Sequence, residues 1–241
     1  MLIVGNGLLA SEFKKNDMND DVVIIASGVS NSKEDSEIEF MREELLIKDI
    51  LFKYNRMKIV YFSTCSILQS EHTPYIRHKI KMEEIIIKSD VRHYIFRLPQ
   101  VVGIVNNNTL ISYLIRNSYL NNSLMINENA FRNLLDIEDI VRIVKKILEF
   151  DNSPTGIALN IASSSYIRVL NIAEKIKSIL QSESKIIVVP GGEKYYIENS
   201  HLKRYIGEKD IIFSDKYAID VIEKYTNRIK VEFSYQWDDC L

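Results

Sequence analysis

Tyr75 and Lys79 stand four residues apart, just after a proline, Pro74, that marks the start of a helix. Residues at that offset share a helix face, so a phenol and an ammonium point into one pocket. A cation beside a phenol favours the phenolate. Lys79 is therefore expected to lower the pKa of Tyr75 toward working pH. Upstream, residues 59–62 are β-branched or aromatic and read as a buried strand that ends in the hydroxyls of Ser63 and Thr64. A strand-end hydroxyl that binds a reacting oxygen, next to a phenol that exchanges its proton, makes an acid–base set. The offset alone is weak, since Tyr54 with Lys58 repeats it. The strand, its Ser-Thr end and the proline are what set Tyr75 apart.

Several elements must position that set. Residues 2–5 read as a short apolar strand entering Gly5-Asn6-Gly7-Leu8-Leu9-Ala10, a Gly-x-Gly-x-x-Ala turn that opens a helix over 8–15. Such glycines let the backbone approach a pyrophosphate, whose charge is met by helix N–H groups. The competing reading is a tight strand-to-helix turn with no ligand. Residues 21–27 read as a second buried strand and 33–55 as a long helix. On that helix Ile38, Met41, Leu45 and Phe52 form an apolar stripe, a core or dimer contact. The Tyr75 helix turns Met82, Ile85 and Ile86 inward. A strand at 93–96 then leads into Arg97-Leu98-Pro99-Gln100-Val101-Val102-Gly103. Helices follow at 110–119, 140–150 and 169–180, with short strands at 130–136 and 158–162. Strands alternating with helices imply βαβ units and a mostly parallel sheet.

The 241 residues suffice for one large α/β domain or a core with a small cap. Thirty-one basic residues against thirty-three acidic ones leave no basic stripe, which argues against nucleic acid as a partner. No apolar run approaches membrane-spanning length, and Met1 leads straight into a strand, so a cytoplasmic location without membrane contact is expected. Cys65 and Cys240 are too few for a disulfide framework, and the four histidines lack metal-ligand spacing, so no metal site is expected.

In order, these segments resemble an extended short-chain dehydrogenase/reductase of the nucleotide-sugar epimerase, dehydratase and reductase kind, from Met1 to about Gly207. The resemblance implies an α/β, Rossmann-like doubly wound parallel sheet of reduced strand number with a small C-terminal α/β substrate-binding cap. Residues 1–104 and 131–162 would form the cofactor-binding core, and 105–130 and 163–241 the substrate-binding region. It implies NAD or NADP as cofactor and a nucleotide-linked sugar as substrate. Gly5, Asn6, Gly7, Leu8 and Leu9 would hold the dinucleotide, with Ala26, Ser27 and Gly28 (the family's Ala-Ala-Gly segment), Lys79, Pro99 and Val101. Thr64, Tyr75 and Lys79 align with the catalytic residues. Thr64, Cys65, Ser66 and Arg132 would meet the substrate, Arg132 at its diphosphate. Helices 33–55 and 75–89 correspond to those that pair relatives as homodimers.

The departures from the family carry information too. Relatives fit two further strands between the glycine turn and the segment at 21–27, and those strands hold the adenosine. If 21–27 is the family's fourth strand, the adenosine half is cut away and the direct connection strains the crossover-handedness rule; this is the favoured reading. If it is the second strand, handedness is satisfied and the Ala26-Ser27-Gly28 resemblance is accidental. The loop between Thr64 and Tyr75 is also short, which opens the site. Cys65 and Ser66 replace the Asp-Glu pair of the dehydratases, which disfavours sugar 4,6-dehydration. Cys65 reads by default as an inert buried thiol. The rival to an oxidoreductase is a catalytically silent relative that binds a nucleotide or nucleotide-sugar and serves as a regulatory or assembly subunit.

Overall fold

A computed structural model describes residues 1–17, 21–104, 109–151, 153–207 and 213–237; Cys240 lies outside them. In chain order the elements begin β1 (Leu2–Val4), α1 (Leu8–Phe13), β2 (Val22–Ile25), α2 (Glu37–Lys53), β3 (Lys58–Thr64), α3 (Pro74–Ile87) and β4 (His93–Leu98). Next come β5 (Gln100–Val102), α4 (Leu110–Tyr119), β6 (Leu124–Asn127), β7 (Phe131–Arg132), β8 (Leu134–Asp136), α5 (Ile137–Phe150) and β9 (Gly156–Asn160). The chain continues through β10 (Ile167–Arg168), α6 (Val169–Leu180), β11 (Ile186–Val189) and α7 (Tyr217–Trp237).

Two compact units result. The first comprises Met1–Pro99, Ile137–Ile161 and Tyr195–Ile211; the second comprises Gln100–Asp136, Ala162–Lys194 and Ile212–Leu241. The segment after Tyr195, expected with the smaller region, instead packs on the first unit. There Ile197 and Leu202 are buried, Asn160 donates to the Glu198 carbonyl, and the Tyr205 hydroxyl donates to Asp151. The second unit holds three two-stranded ladders, β5–β8, β6–β11 and β7–β10.

The first unit is built on a five-stranded sheet of order β1-β2-β3-β4-β9, with every pair parallel. All four residues of β2 are buried, as a strand covered on both faces requires. One face presents Val23, Ile25, Ile59, Tyr61 and Ile95 to Ile47, Ile50 and Leu51 of α2 and to Met82 and Ile86 of α3. Burying Met82 and Ile86 contributes about 1.5–3 kcal/mol each. On the opposite face Phe13 of α1 stacks against Phe62, which in turn meets Phe96, and α5 lies beside α1. Both site helices are capped. Ser36 accepts from the Glu39 amide at the start of α2, and Thr73 accepts from the Ile76 amide with Pro74 in the first turn of α3.

The position of β2 decides between the two topologies. It lies between β1 and β3, the place of the family's fourth strand, and residues 5–21 leave no room for two more strands. The steps β1→β2, β2→β3 and β3→β4 all run the same way across the sheet. Yet α1 covers one face while α2 and α3 cover the other. Crossovers in one direction with helices on opposite faces have opposite hands. With the α2 and α3 crossovers right-handed, as parallel crossovers almost always are, the α1 crossover is left-handed. The expected strain on the handedness rule is thus realised, and among the described residues β1 is an edge strand.

Candidate active site

The strand β3 carries its last side chain, Thr64, to the C-terminal edge of the sheet. There Thr64 caps a short 3₁₀ turn, Cys65–Leu68, by accepting from the Ser66 amide at 3.1 Å. Tyr75 sits in the first turn of α3, and its phenol comes close enough to the Thr64 hydroxyl to have its pKa lowered by it. One turn later the Lys79 ammonium lies 6.0 Å from the centroid of the Tyr75 ring. The three residues read as an acid–base set therefore come together, all within the first unit.

Their electrostatics differ from the expectation. Tyr75 is only 7 % exposed, and burial pushes its phenol up to about 12. The Thr64 hydroxyl acts against that rise, and the Glu43 and Tyr195 charges add to it. Lys79 does not lower it, because its ammonium is committed elsewhere. It donates to Glu43 Oε1 at 2.9 Å and to the Tyr61 hydroxyl at 3.0 Å, and its own pKa is pushed down by burial.

Glu43 is the residue that sequence reasoning missed. It is fully buried on α2, with both carboxylate oxygens saturated. Oε1 accepts from Lys79 and from the Tyr61 hydroxyl at 2.8 Å; Oε2 accepts from His78 Nε2 at 2.9 Å and from the Val29 amide at 2.7 Å. Burial alone would raise its carboxyl, but His78, Lys79 and Val29 together hold it down at about 2. The signal was available: Phe40, Ile47, Ile50, Leu51 and Tyr54 form a second apolar stripe on α2, and Glu43 stands inside it. The stripe that was singled out, Ile38, Met41, Leu45 and Phe52, is exposed and is not core.

The two loops expected at the dinucleotide face each other. Gly5 has φ +132°, and a Cβ there would lie 2.3 Å from the Ala26 carbonyl oxygen, so only glycine fits. Ala26 also donates its amide to the Val4 carbonyl at 2.8 Å. A Cβ on Gly7 would meet nothing within 4 Å, which leaves open space above the turn. Asn6 is exposed there, Leu8 and Leu9 are half-buried, and Lys14 returns to donate to the Gly5 carbonyl and to Asn6 Oδ1, both at 3.1 Å. Gly28 covers the buried ion pair; a Cβ there would lie 2.4 Å from Glu43 Oε1 and 2.8 Å from Lys79 Nζ. Ser27 gives its carbonyl to Arg42.

The remaining candidates separate. Cys65, expected among the substrate contacts, is wholly buried and donates to the Arg97 carbonyl. Burial pushes its thiol up to about 12, so it is inert and out of reach of a substrate. Ser66 is half-buried, and its amide is held by Thr64. Behind them Arg97 forms a two-pronged ion pair with buried Glu83, which also accepts from Ser63. Pro99 is half-buried in the first unit, whereas Val101, in β5, and Arg132, in β7, belong to the second. Arg132 pairs across the β7–β10 ladder with Ile167 and donates to the Phe131 carbonyl. Phe131 pairs with Arg168 and has the Lys194 ammonium 5.2 Å from its ring centroid. Among the described residues no group of acidic, histidine and cysteine side chains is arranged to hold a metal ion, and no helix is long and apolar enough to cross a membrane.

Residues 8–162 match the model of the NAD dependent epimerase/dehydratase family. No curated protein matches the chain by sequence. Among solved structures, an epimerase from Methanothermobacter thermautotrophicus superposes with a TM-score of 0.76 at 16% identity, covering 95% of this chain and 76% of that one. UDP-glucuronic acid 4-epimerase from Bacillus cereus, solved with UDP-glucuronic acid and NAD, gives 0.73 at 17% identity over 93% and 79%. A UDP-galactose 4-epimerase gives 0.71 at 19% identity over 88% and 78%. At these identities the likeness is one of fold.

Proposed function

The chain belongs to the NAD dependent epimerase/dehydratase family, and on that footing we propose that it is an NAD(P)-dependent oxidoreductase acting on a nucleotide-linked sugar. The reaction is reduction of a keto-sugar, or epimerisation through a keto intermediate. The observation that carries this reading is that Thr64, at the end of β3, Tyr75 and Lys79 come together, with the Lys79 ammonium 6.0 Å from the Tyr75 ring centroid. Bound dinucleotide supplies the hydride donor or acceptor. The open space over Gly7 fits its diphosphate. Among the described residues no strand pairs with the outer edge of β1.

This chain's own residues supply positioning and the proton. Thr64 orients the reacting oxygen. Tyr75, protonated at neutral pH by its high pKa, donates to that oxygen as it gains charge, which suits the ketone-reducing direction. Lys79 places a positive charge under Gly28, beside the seat of the nicotinamide ribose. In the second unit Arg132 is the candidate for the substrate diphosphate. The exposed stripe Ile38, Met41, Leu45 and Phe52 supports a homodimer made through α2.

Changing Tyr75 to Phe tests the mechanism on a panel of UDP-sugars with both reduced cofactors. Turnover should fall by about 10²-fold or more while cofactor affinity stays nearly constant. Equal turnover in the two proteins removes Tyr75 from the chemistry. The silent-relative reading draws on the buried phenol, the Lys79–Glu43 pair and the free edge of β1. Calorimetric titration with NAD, NADP and their reduced forms separates the two, since failure of all four to bind favours the silent relative.

A further inference from the structure

We propose that Glu43 is a positioning residue for the site: a buried counter-ion that keeps Lys79 charged and fixes its ammonium beneath Gly28, beside Tyr75. The inference deepens the functional reading above and rests on it for its meaning. A lysine that is 3 % exposed loses its proton unless an anion stands against it. Glu43 is that anion, and its geometry leaves it no other state. Four donors fill its two oxygens: an ammonium, a phenol, an imidazole N–H and a backbone amide. Phe40 stacks on His78 at 4.5 Å between ring centroids, which fixes the imidazole that fixes the carboxylate.

The consequence for Lys79 is specific. Two of its three N–H groups go to Glu43 and Tyr61, which leaves one for a ligand hydroxyl on the side where Gly28 carries no side chain. Among the described residues, charged and titratable groups face the ammonium from three elements. Tyr61 comes from β3; Tyr75, His78 and Glu83 come from α3; Arg42 and Glu43 come from α2. Of the two carboxylates, only Glu43 is in contact; Glu83 is taken by Arg97 and Ser63.

The test replaces Glu43 by Gln, which keeps the shape and removes the charge, in protein labelled with ¹⁵N at lysine. The Lys79 side-chain nitrogen, assigned by its loss in Lys79→Met, is followed against pH. In the wild type it should be an ammonium at neutral pH. In Glu43→Gln its midpoint should fall by about two pH units or more, a hundred-fold loss of proton affinity. Glu43→Asp should recover most of that loss. A purely structural Glu43 would destabilise the fold when replaced and leave the Lys79 midpoint where it was, and that result overturns the proposal. If Glu43→Gln does not fold, Lys79→Met reads the same pair from the other side. The Glu43 carboxyl ¹³C midpoint should then rise from about 2 by two pH units or more, and a midpoint that stays put overturns it equally. Neither readout uses a cofactor, so a failure to bind dinucleotide sinks the functional reading without touching this one.

Discussion

The two glycines of the first turn should respond to alanine in opposite ways. Gly7 has φ −77° and ψ −171°, ordinary extended backbone, and a Cβ there meets nothing. Gly7→Ala lowers unfolded-state entropy, which stabilises by about 0.4–1 kcal/mol, and weakens the helix start by a similar amount. The two effects cancel, so the urea midpoint should move by less than the equivalent of about 0.5 kcal/mol. Gly5→Ala is different. Holding an alanine at φ +132° costs about 1–3 kcal/mol. Driving its Cβ off the Ala26 carbonyl, 2.3 Å away, adds an overpacking cost of about 1–3 kcal/mol. The sum, about 2–6 kcal/mol, is a large share of the stability of a typical domain. Urea denaturation followed by circular dichroism measures both. If the diphosphate approaches over Gly7, Gly7→Ala should also weaken dinucleotide binding by about tenfold or more, because the methyl occupies the open space. Equal destabilisation by the two substitutions would refute the loop geometry. A Gly7→Ala protein that binds dinucleotide like the wild type would refute the approach over that turn.

Three further outcomes are expected. In a Cys240→Ser background, Cys65 should resist aqueous thiol reagents at pH 8 in the native protein and react at once in denaturant; rapid native labelling would contradict its burial and its thiol at about 12. The Glu43 carboxyl is depressed from 4.5 to about 2 in the fold, so it contributes stability above pH 4.5 that is lost as pH falls through about 2. At 1.36 kcal/mol per unit this is about 3 kcal/mol. Urea midpoints between pH 5 and 2 should therefore fall less steeply in Glu43→Gln. Leu45→Asp, on the exposed stripe, should leave stability within about 0.5 kcal/mol yet convert a dimer to a monomer in sedimentation velocity; a monomeric wild type would dismiss the α2 interface.

The periodic pattern made the elements legible, because each has one dominant burial requirement. Strand β2 is apolar throughout and β3 is so from Ile59 to Phe62, since both their faces are covered, and Thr73-Pro74 announces α3 by cap chemistry that needs no tertiary context. Helix α2 was misjudged because it carries two apolar stripes. Hydrophobicity alone prefers Ile38, Met41, Leu45 and Phe52, whereas the stripe that meets the sheet contains a carboxylate. Periodicity places Glu43 in that stripe but does not name its partners, which come from β3 and α3 and read as solvent-facing until they are brought together. The pKa of Tyr75 failed for the same reason. The Tyr75–Lys79 offset was right, but Glu43, thirty-six residues from Lys79 in sequence, had already claimed the ammonium.

The left-handed first crossover follows from what the crevice requires. In a doubly wound sheet the ligand crevice opens where two neighbouring strands send their following helices to opposite faces, usually at the point where strand order reverses. Here the order β1-β2-β3-β4-β9 does not reverse, and five strands joined only by right-handed crossovers in that order would put every helix on one face. No crevice would open between β1 and β2. Because α1 keeps the face that carries Phe13 and Phe62 while α2 takes the other, the helices after β1 and β2 lie on opposite faces, with open space over Gly7. Losing the adenosine strands therefore left two choices, a regular hand without a crevice or a crevice at the cost of the regular hand. The close fit of Gly5 against Ala26 marks the second, at the end of the sheet where β3 carries Thr64.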